Sequence, residues 1–126
     1  MFSHIMVGAD DVDKSKAFYD AVLGTLGVSP GYAAPDGRVF YMTPGGNLAI
    51  TKPINGKPAS GANGGTIGFA CSSPDQVNAW HAAGIANGGT TCEDPPGERV
   101  GSGMYLAYLR DPAGNKLCGL HSIPQS

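Results

Sequence analysis

The feature that most constrains this chain is an internal repeat. The opening stretch FSHIMVGADDVDKSKAFYDAVLG (2–24) has an echo in GTIGFACSSPDQVNAWHAAGIANGG (65–89). In both copies an alternating apolar segment runs into an Asp- or Ser-rich corner, and a helical pattern follows that ends at glycine. At an offset of 62 residues His4 meets Thr66, Asp13 meets Asp75, Phe18 meets Trp80, Tyr19 meets His81 and Gly27 meets Gly89. A second echo closes each copy: Thr43-Pro44-Gly45-Gly46-Asn47 before LAIT, and Asp111-Pro112-Ala113-Gly114-Asn115 before KLCGLH. Each reads as a hairpin turn feeding a final strand. The chain is therefore read as two copies of a strand, a helix and three strands.

The pattern divides into module one (1–52), a linker (53–64) and module two (65–123). Strand 2–8 sets His4 and Met6 on one face and Ile5 and Val7 on the other. Asp10 and Asp11 cap a helix over 12–26, in which Phe18, Val22 and Leu26 recur every fourth residue. Residues 28–37 carry the weakest strand pattern, whereas RVFYMT (38–43) and NLAITK (47–52) form a hairpin. The linker is rich in Gly, Pro and Ser. Module two repeats the scheme: a strand at 65–71, then a helix at 74–87 with Pro74 in its first turn and Val77, Trp80 and Gly84 on one stripe. A short strand at 90–93 follows, then a mobile loop DPPGERVGSG (94–103) and two final strands.

Composition narrows the function. At 126 residues the chain makes one domain, because halves of about sixty residues are marginal alone. Charged residues are 14% of the chain, the net charge is −2 and no basic run occurs, so neither nucleic acid nor an anionic membrane has electrostatic support as a partner. There is no apolar span long enough for a membrane helix and no secretory leader, so a cytoplasmic protein is expected. Cys71, Cys92 and Cys118 are odd in number and lack CxxC spacing, which points to reduced thiols rather than disulfides or a zinc knuckle.

His4 in the first strand, the helix start DVDKSKAFY and RDPAGNKL before the last strand resemble the vicinal oxygen chelate superfamily, which includes glyoxalase, bleomycin- and fosfomycin-resistance proteins and extradiol dioxygenases. The resemblance covers nearly the whole chain. It implies an α+β fold of two tandem βαβββ modules, a curved eight-stranded mixed sheet forming a glyoxalase-like cup, and a homodimer. It also implies a divalent metal held by His and Glu from the first and last strands of each module, polarising two neighbouring substrate oxygens as a Lewis acid. Carried over, those positions fall on His4, on Thr66, on Ala49 or Ile50, and on Cys118.

His4 and Cys118 would supply two donors where a catalytic zinc site has three, and the glyoxalase reaction also needs a carboxylate base. No metal or other cofactor is expected, or only a weakly held ion. The expected site is a cup lined by His4, Thr66, Tyr108 and Cys118 that takes a small organic molecule. The alternative is a metal-dependent, lactoylglutathione-lyase-like lyase or isomerase. His4 remains open between pocket lining, metal ligation and simple packing, and Cys118 between nucleophile and wall. Tyr105 and Tyr108, three apart, face opposite sides of one strand, with Tyr108 turned inward by the resemblance. His81 is expected partly buried in its helix, and His121 exposed near a frayed end. Glu93, Glu98 and Arg99 flank the loop as possible gates, or as solvated charges.

Overall fold

The computed structural model describes residues 1–124. Two helices and nine strands follow in the order β1 (His4–Gly8), α1 (Val12–Gly24), β2 (Tyr32–Ala33), β3 (Val39–Tyr41), β4 (Asn47–Thr51), β5 (Ile67–Ala70), α2 (Pro74–Ala86), β6 (Thr90–Thr91), β7 (Gly97–Arg99), β8 (Met104–Arg110) and β9 (Lys116–Ser122). The tandem α+β architecture expected from the repeat is the one adopted.

Each helix starts where its corner supplies an acceptor. Asp11 accepts the Lys14 N–H at 3.0 Å, and Ser73 accepts that of Gln76 at 3.1 Å. Gln76 in turn accepts the Ser72 N–H, a reciprocal cap. Of the stripe expected on α1, Phe18 and Val22 are buried, joined by Tyr19 and Leu23, whereas Leu26 lies past the helix end and is half-buried; Val77, Trp80 and Gly84 on α2 are buried as the periodicity predicts. The helices pack on one another at Gly84, where a Cβ would lie 2.3 Å from Leu109 Cδ1 and 3.2 Å from Phe18 Cε2. Gly119 on β9 similarly makes room for the Trp80 ring, 2.8 Å from where its own Cβ would be. One core therefore spans both modules.

The sheets have orders β1-β4-β3-β2 and β5-β9-β8-β6, with β7 also paired to β8. In each, the first strand lies parallel to the last and occupies the edge. Register fixes the faces. Ile5, Val7, Leu48 and Ile50 turn toward the helices, while Met6, Ala49, Phe40 and Tyr32 form a row on the opposite face. The corresponding row in module two is Gly68, Cys118 and Tyr108.

Three local expectations are corrected. The segment 94–103 is not a loose loop, because Gly97–Arg99 pairs antiparallel with β8 and adds a ninth strand. The Arg99 guanidinium donates to the carbonyls of Asp94, Pro95 and Gly97, pinning the turn. The strands form a four-stranded and a five-stranded sheet rather than one sheet of eight. His121 is not a frayed, exposed residue: it lies within β9, partly buried, with Nδ1 3.1 Å from the Cys71 carbonyl oxygen.

A buried polar cluster ties the modules together. Asp111, 3% exposed, accepts the Tyr19 hydroxyl of α1 at 2.6 Å, the backbone N–H groups of Ala113 and Asn115 at 2.9 Å, and the Asn115 side-chain amide at 2.8 Å. That amide also donates to the Gly8 carbonyl at the end of β1, at 3.0 Å. Burial, then the neighbouring Asp111 charge and hydrogen bond, push the Tyr19 phenol well above its usual range, so it stays protonated and donates.

Candidate functional site

The candidate site is built on the two sheet faces turned away from the helices. Tyr108 and Cys118 are partners across β8 and β9 and share a face. Cys118 is 5% exposed, and its thiol is pushed up by burial, against the lowering effects of the Tyr108 hydrogen bond and the Arg99 charge. The Tyr108 phenol is likewise raised, by partial burial and by the neighbouring Cys118 and Glu93, with Lys116 opposing. Both groups are therefore protonated at neutral pH. The Tyr108 hydroxyl can donate to a ligand oxygen, while the Cys118 S–H donates to the Gly119 carbonyl at 3.7 Å, and neither group is a ready thiolate or base.

Charges frame this pair. The Lys116 ammonium sits 4.9 Å from the centroid of the Tyr108 ring and pairs with Glu93. Glu93 holds φ +56, the left-handed region, at the connection from β6 toward β7. Glu93 and Arg99, read from sequence as flanking a loop, thus belong to the surroundings of Tyr108 and Cys118. Glu98 pairs in register with Tyr105, on the other face. Tyr105 is on the helix side, its hydroxyl donating to Asn78 at 2.9 Å.

His4 is exposed at the start of β1, with Nδ1 2.8 Å from the Ser3 hydroxyl oxygen, and its register partner is Asn47. Thr66 is exposed immediately before β5, where alternation carries it to the side of Gly68. The structure thus brings Tyr108 and Cys118 together, sets Thr66 on the same sheet face, and holds His4 on the other module. His4 also lines a cavity of about 370 Å³ with Gly68 and Ala70, which Tyr108 and Cys118 do not reach.

The register settles one choice left open by sequence. Met6 pairs with Ala49 and Gly68 with Cys118, so Ala49, and not Ile50, stands in module one where Cys118 stands in module two; Ile50 is wholly buried on the helix side. A divalent ion held as the resemblance implies would draw on His4, Ala49, Thr66 and Cys118. Ala49 has no donor atom and Thr66 offers only a neutral hydroxyl, which leaves two donors, the His4 imidazole and the Cys118 sulfur. The set is the same whether the faces meet within one chain or between two copies. Among the described residues no group of three or more His, Cys, Asp or Glu side chains is placed to hold a metal. These residues do not match a three-ligand site.

His81 is partly buried in α2 with Nε2 3.0 Å from the Thr91 hydroxyl, and burial lowers its pKa. The three cysteines are unpaired. Sequence reading missed Asn47 beside His4, and the roles of Asp111 and Asn115; the signal was the asparagine that ends both hairpin turns.

A sequence profile of the Glyoxalase/Bleomycin resistance protein/Dioxygenase superfamily matches residues 1–118. Among solved structures, a glyoxalase/bleomycin resistance protein from Albidiferax ferrireducens T118 is 63% identical with a TM-score of 0.91, over 96% of this chain and 98% of that one. A lactoylglutathione lyase from Agrobacterium tumefaciens is 26% identical with a TM-score of 0.63, over 95% and 90%. A glyoxalase/bleomycin resistance protein/dioxygenase family enzyme from Burkholderia phytofirmans PsJN, 16% identical with a TM-score of 0.76 over 96% and 98%, shares the fold. No curated protein matches the chain.

Proposed function

The chain belongs to the Glyoxalase/Bleomycin resistance protein/Dioxygenase superfamily, and from that premise we propose that it binds a small organic molecule on the sheet faces opposite its helices, with the family's metal site largely lost. The observation that carries the reading is the occupancy of the equivalent positions: His4, Ala49, Thr66 and Cys118 offer two donors between them, an imidazole and a thiol, where a catalytic zinc site has three. Tyr108, kept protonated, then orients a ligand oxygen by donating to it, Cys118 forms the wall beside it, and Thr66 and His4 add polar contacts at the rim.

The row Met6, Ala49, Phe40 and Tyr32 supports a homodimer, since within this apolar row Met6 is 42% and Tyr32 56% exposed. No described helix is long and apolar enough to cross a membrane, and a cytoplasmic location goes with this reading.

A second reading, a lactoylglutathione-lyase-like lyase or isomerase, is favoured by the 26% identity to the Agrobacterium protein of that name. It requires a metal and a carboxylate base. Elemental analysis of the purified protein, followed by thermal shift with Zn, Ni, Mn and Mg, separates the two. The binding reading expects no stoichiometric ion, an unmoved melting temperature with each ion, and stabilisation by small oxygen-bearing compounds that Tyr108→Phe weakens. A stoichiometric ion that is lost in His4→Ala overturns it in favour of the second.

A further inference from the structure

We propose that the cavity between the two modules is a separate ligand site, which takes small apolar compounds bearing a carboxylate or carbonyl head. This goes beyond the reading of the sheet faces opposite the helices and meets that site at His4 and Gly68, but not at Tyr108 or Cys118.

β1 and β5, the edge strands of their sheets, are not paired with one another, and residues of both line the cavity. Its volume of about 370 Å³ lies within the range of small-molecule pockets. The apolar wall comes from both modules: Leu23, Leu26 and Val28 at the end of α1 and beyond, and Ile67 and Phe69 on β5. Such a wall suits one aromatic ring or a short branched chain.

The polar end is made by His4 and Asn47, side by side in the β1–β4 register. Asn47 Oδ1 accepts the Thr43 N–H at 3.1 Å, which fixes the amide orientation and leaves its NH2 group as a donor with no partner among the described residues. His4 Nδ1 lies 2.8 Å from the Ser3 hydroxyl oxygen. With that hydroxyl donating, Nε2 carries the ring hydrogen, and it too has no partner among the described residues. Two neighbouring N–H donors at the rim of an apolar cavity select an acceptor, and a carboxylate makes the stronger, charge-assisted pair. Because His4 is exposed, a carboxylate placed there stays partly hydrated, which limits the cost of desolvating it.

The test is titration of the full chain with phenylacetate and with phenethylamine, which share the ring and differ in the sign of the head. The single tryptophan, Trp80, is the reporter, its ring centroid 6.2 Å from that of Phe69 in the cavity wall. Phenylacetate should produce a saturable fluorescence change, and phenethylamine should bind at least about tenfold more weakly. Asn47→Asp keeps the oxygen that Thr43 needs but replaces the donor with an anion, and should weaken phenylacetate about tenfold or more. Gly68→Val should block binding with an unchanged melting temperature, because a Cβ there meets no atom within 4 Å. Tyr108→Phe should leave the phenylacetate-induced Trp80 fluorescence change, which reports the Phe69 wall of the cavity, intact.

No saturable response, equal binding of the two probes, or unchanged affinity in Asn47→Asp and Gly68→Val overturns the proposal. Loss on Tyr108→Phe with no effect of Asn47→Asp also overturns it, by placing the compound on the sheet face of Tyr108; the proposed function then stands without this site. Melting curves by circular dichroism establish that each variant is folded.

Discussion

Replacing Asp111 with Asn tests whether the polar cluster between the modules holds the fold together. The carboxylate is 3% exposed, so solvent does not screen it. Oδ1 takes two backbone N–H groups, which the Asn oxygen can still accept. Oδ2 takes the Tyr19 hydroxyl at 2.6 Å and the Asn115 amide at 2.8 Å, and there the substitution places an NH2 group facing existing donors. A hydrogen bond to a charged group contributes about 1.5–3 kcal/mol, and a buried donor left unpaired costs about 1–3 kcal/mol. Tyr19 can rotate its hydroxyl to accept, whereas Asn115 Nδ2 cannot. The Asn115 amide then holds Gly8 less firmly, so the damage reaches β1. Because these effects are coupled, their sum is an upper bound, and Asp111→Asn should cost about 3–5 kcal/mol. That is a large part of a domain stability of about 5–15 kcal/mol.

Urea unfolding, followed by circular dichroism and by Trp80 fluorescence, measures it. With a slope near 1.5–2 kcal/mol per molar, the midpoint should fall by about 2 M. Tyr19→Phe alone should cost about 1.5–3 kcal/mol, and clearly less in the Asp111→Asn background. A loss below about 1 kcal/mol for Asp111→Asn, or an equal cost of Tyr19→Phe in both backgrounds, would refute the assignment of this carboxylate as the link between modules.

Gly84→Ala sets two effects against each other. Helix propensity favours Ala by about 1 kcal/mol, but the new methyl meets Leu109, Phe18 and Val22 in a closed interface, where overpacking costs about 1–3 kcal/mol; net destabilisation is expected in urea melts. In alkali, the Tyr19 and Tyr41 phenols are raised above their ordinary value of 10.0, first by burial and then by Asp111 and Asp20 respectively. The folded state keeps protons that the unfolded chain releases, so stability should be full below pH 10 and fall above it, with a shallower fall in Tyr41→Phe. In acid the sign reverses at Asp20. Burial raises its carboxyl, but donation from the Gly31 N–H, Lys16 and Tyr41 outweighs burial and leaves it below its ordinary 3.8. That stability should be lost as pH falls through the lowered value, and Asp20→Asn should flatten the acid limb of the pH–stability curve.

Periodicity and the repeat made the fold legible, because helix caps, glycine stops and apolar stripes are local signals. Ser73, Pro74 and the Val77–Trp80–Gly84 stripe needed no tertiary information. β7 was not legible, since its three residues Gly97, Glu98 and Arg99 have no strand propensity and are held by pairing with β8 and by the Arg99 hydrogen bonds. For the site, alternation separated Tyr105 from Tyr108 correctly, but the choice between Ala49 and Ile50 depended on one residue of turn length. Only the parallel register resolves that. The cavity and the Asp111 cluster depend on contacts between residues some forty to a hundred positions apart, which no local pattern encodes.

The segment joining the halves has its own consequence. Ala59 donates its N–H to Asp10 at 2.8 Å, and Gly61, buried at φ +78, passes so close to Gly114 that a Cβ there would lie 2.7 Å from the Gly114 carbonyl oxygen. A stretch that by composition would be a free tether is instead stitched to both of the units it connects. Two copies trading halves would first have to unpick those stitches along with the Tyr19–Asp111 bond, so exchange between molecules meets a kinetic barrier that a floppy connector would not impose.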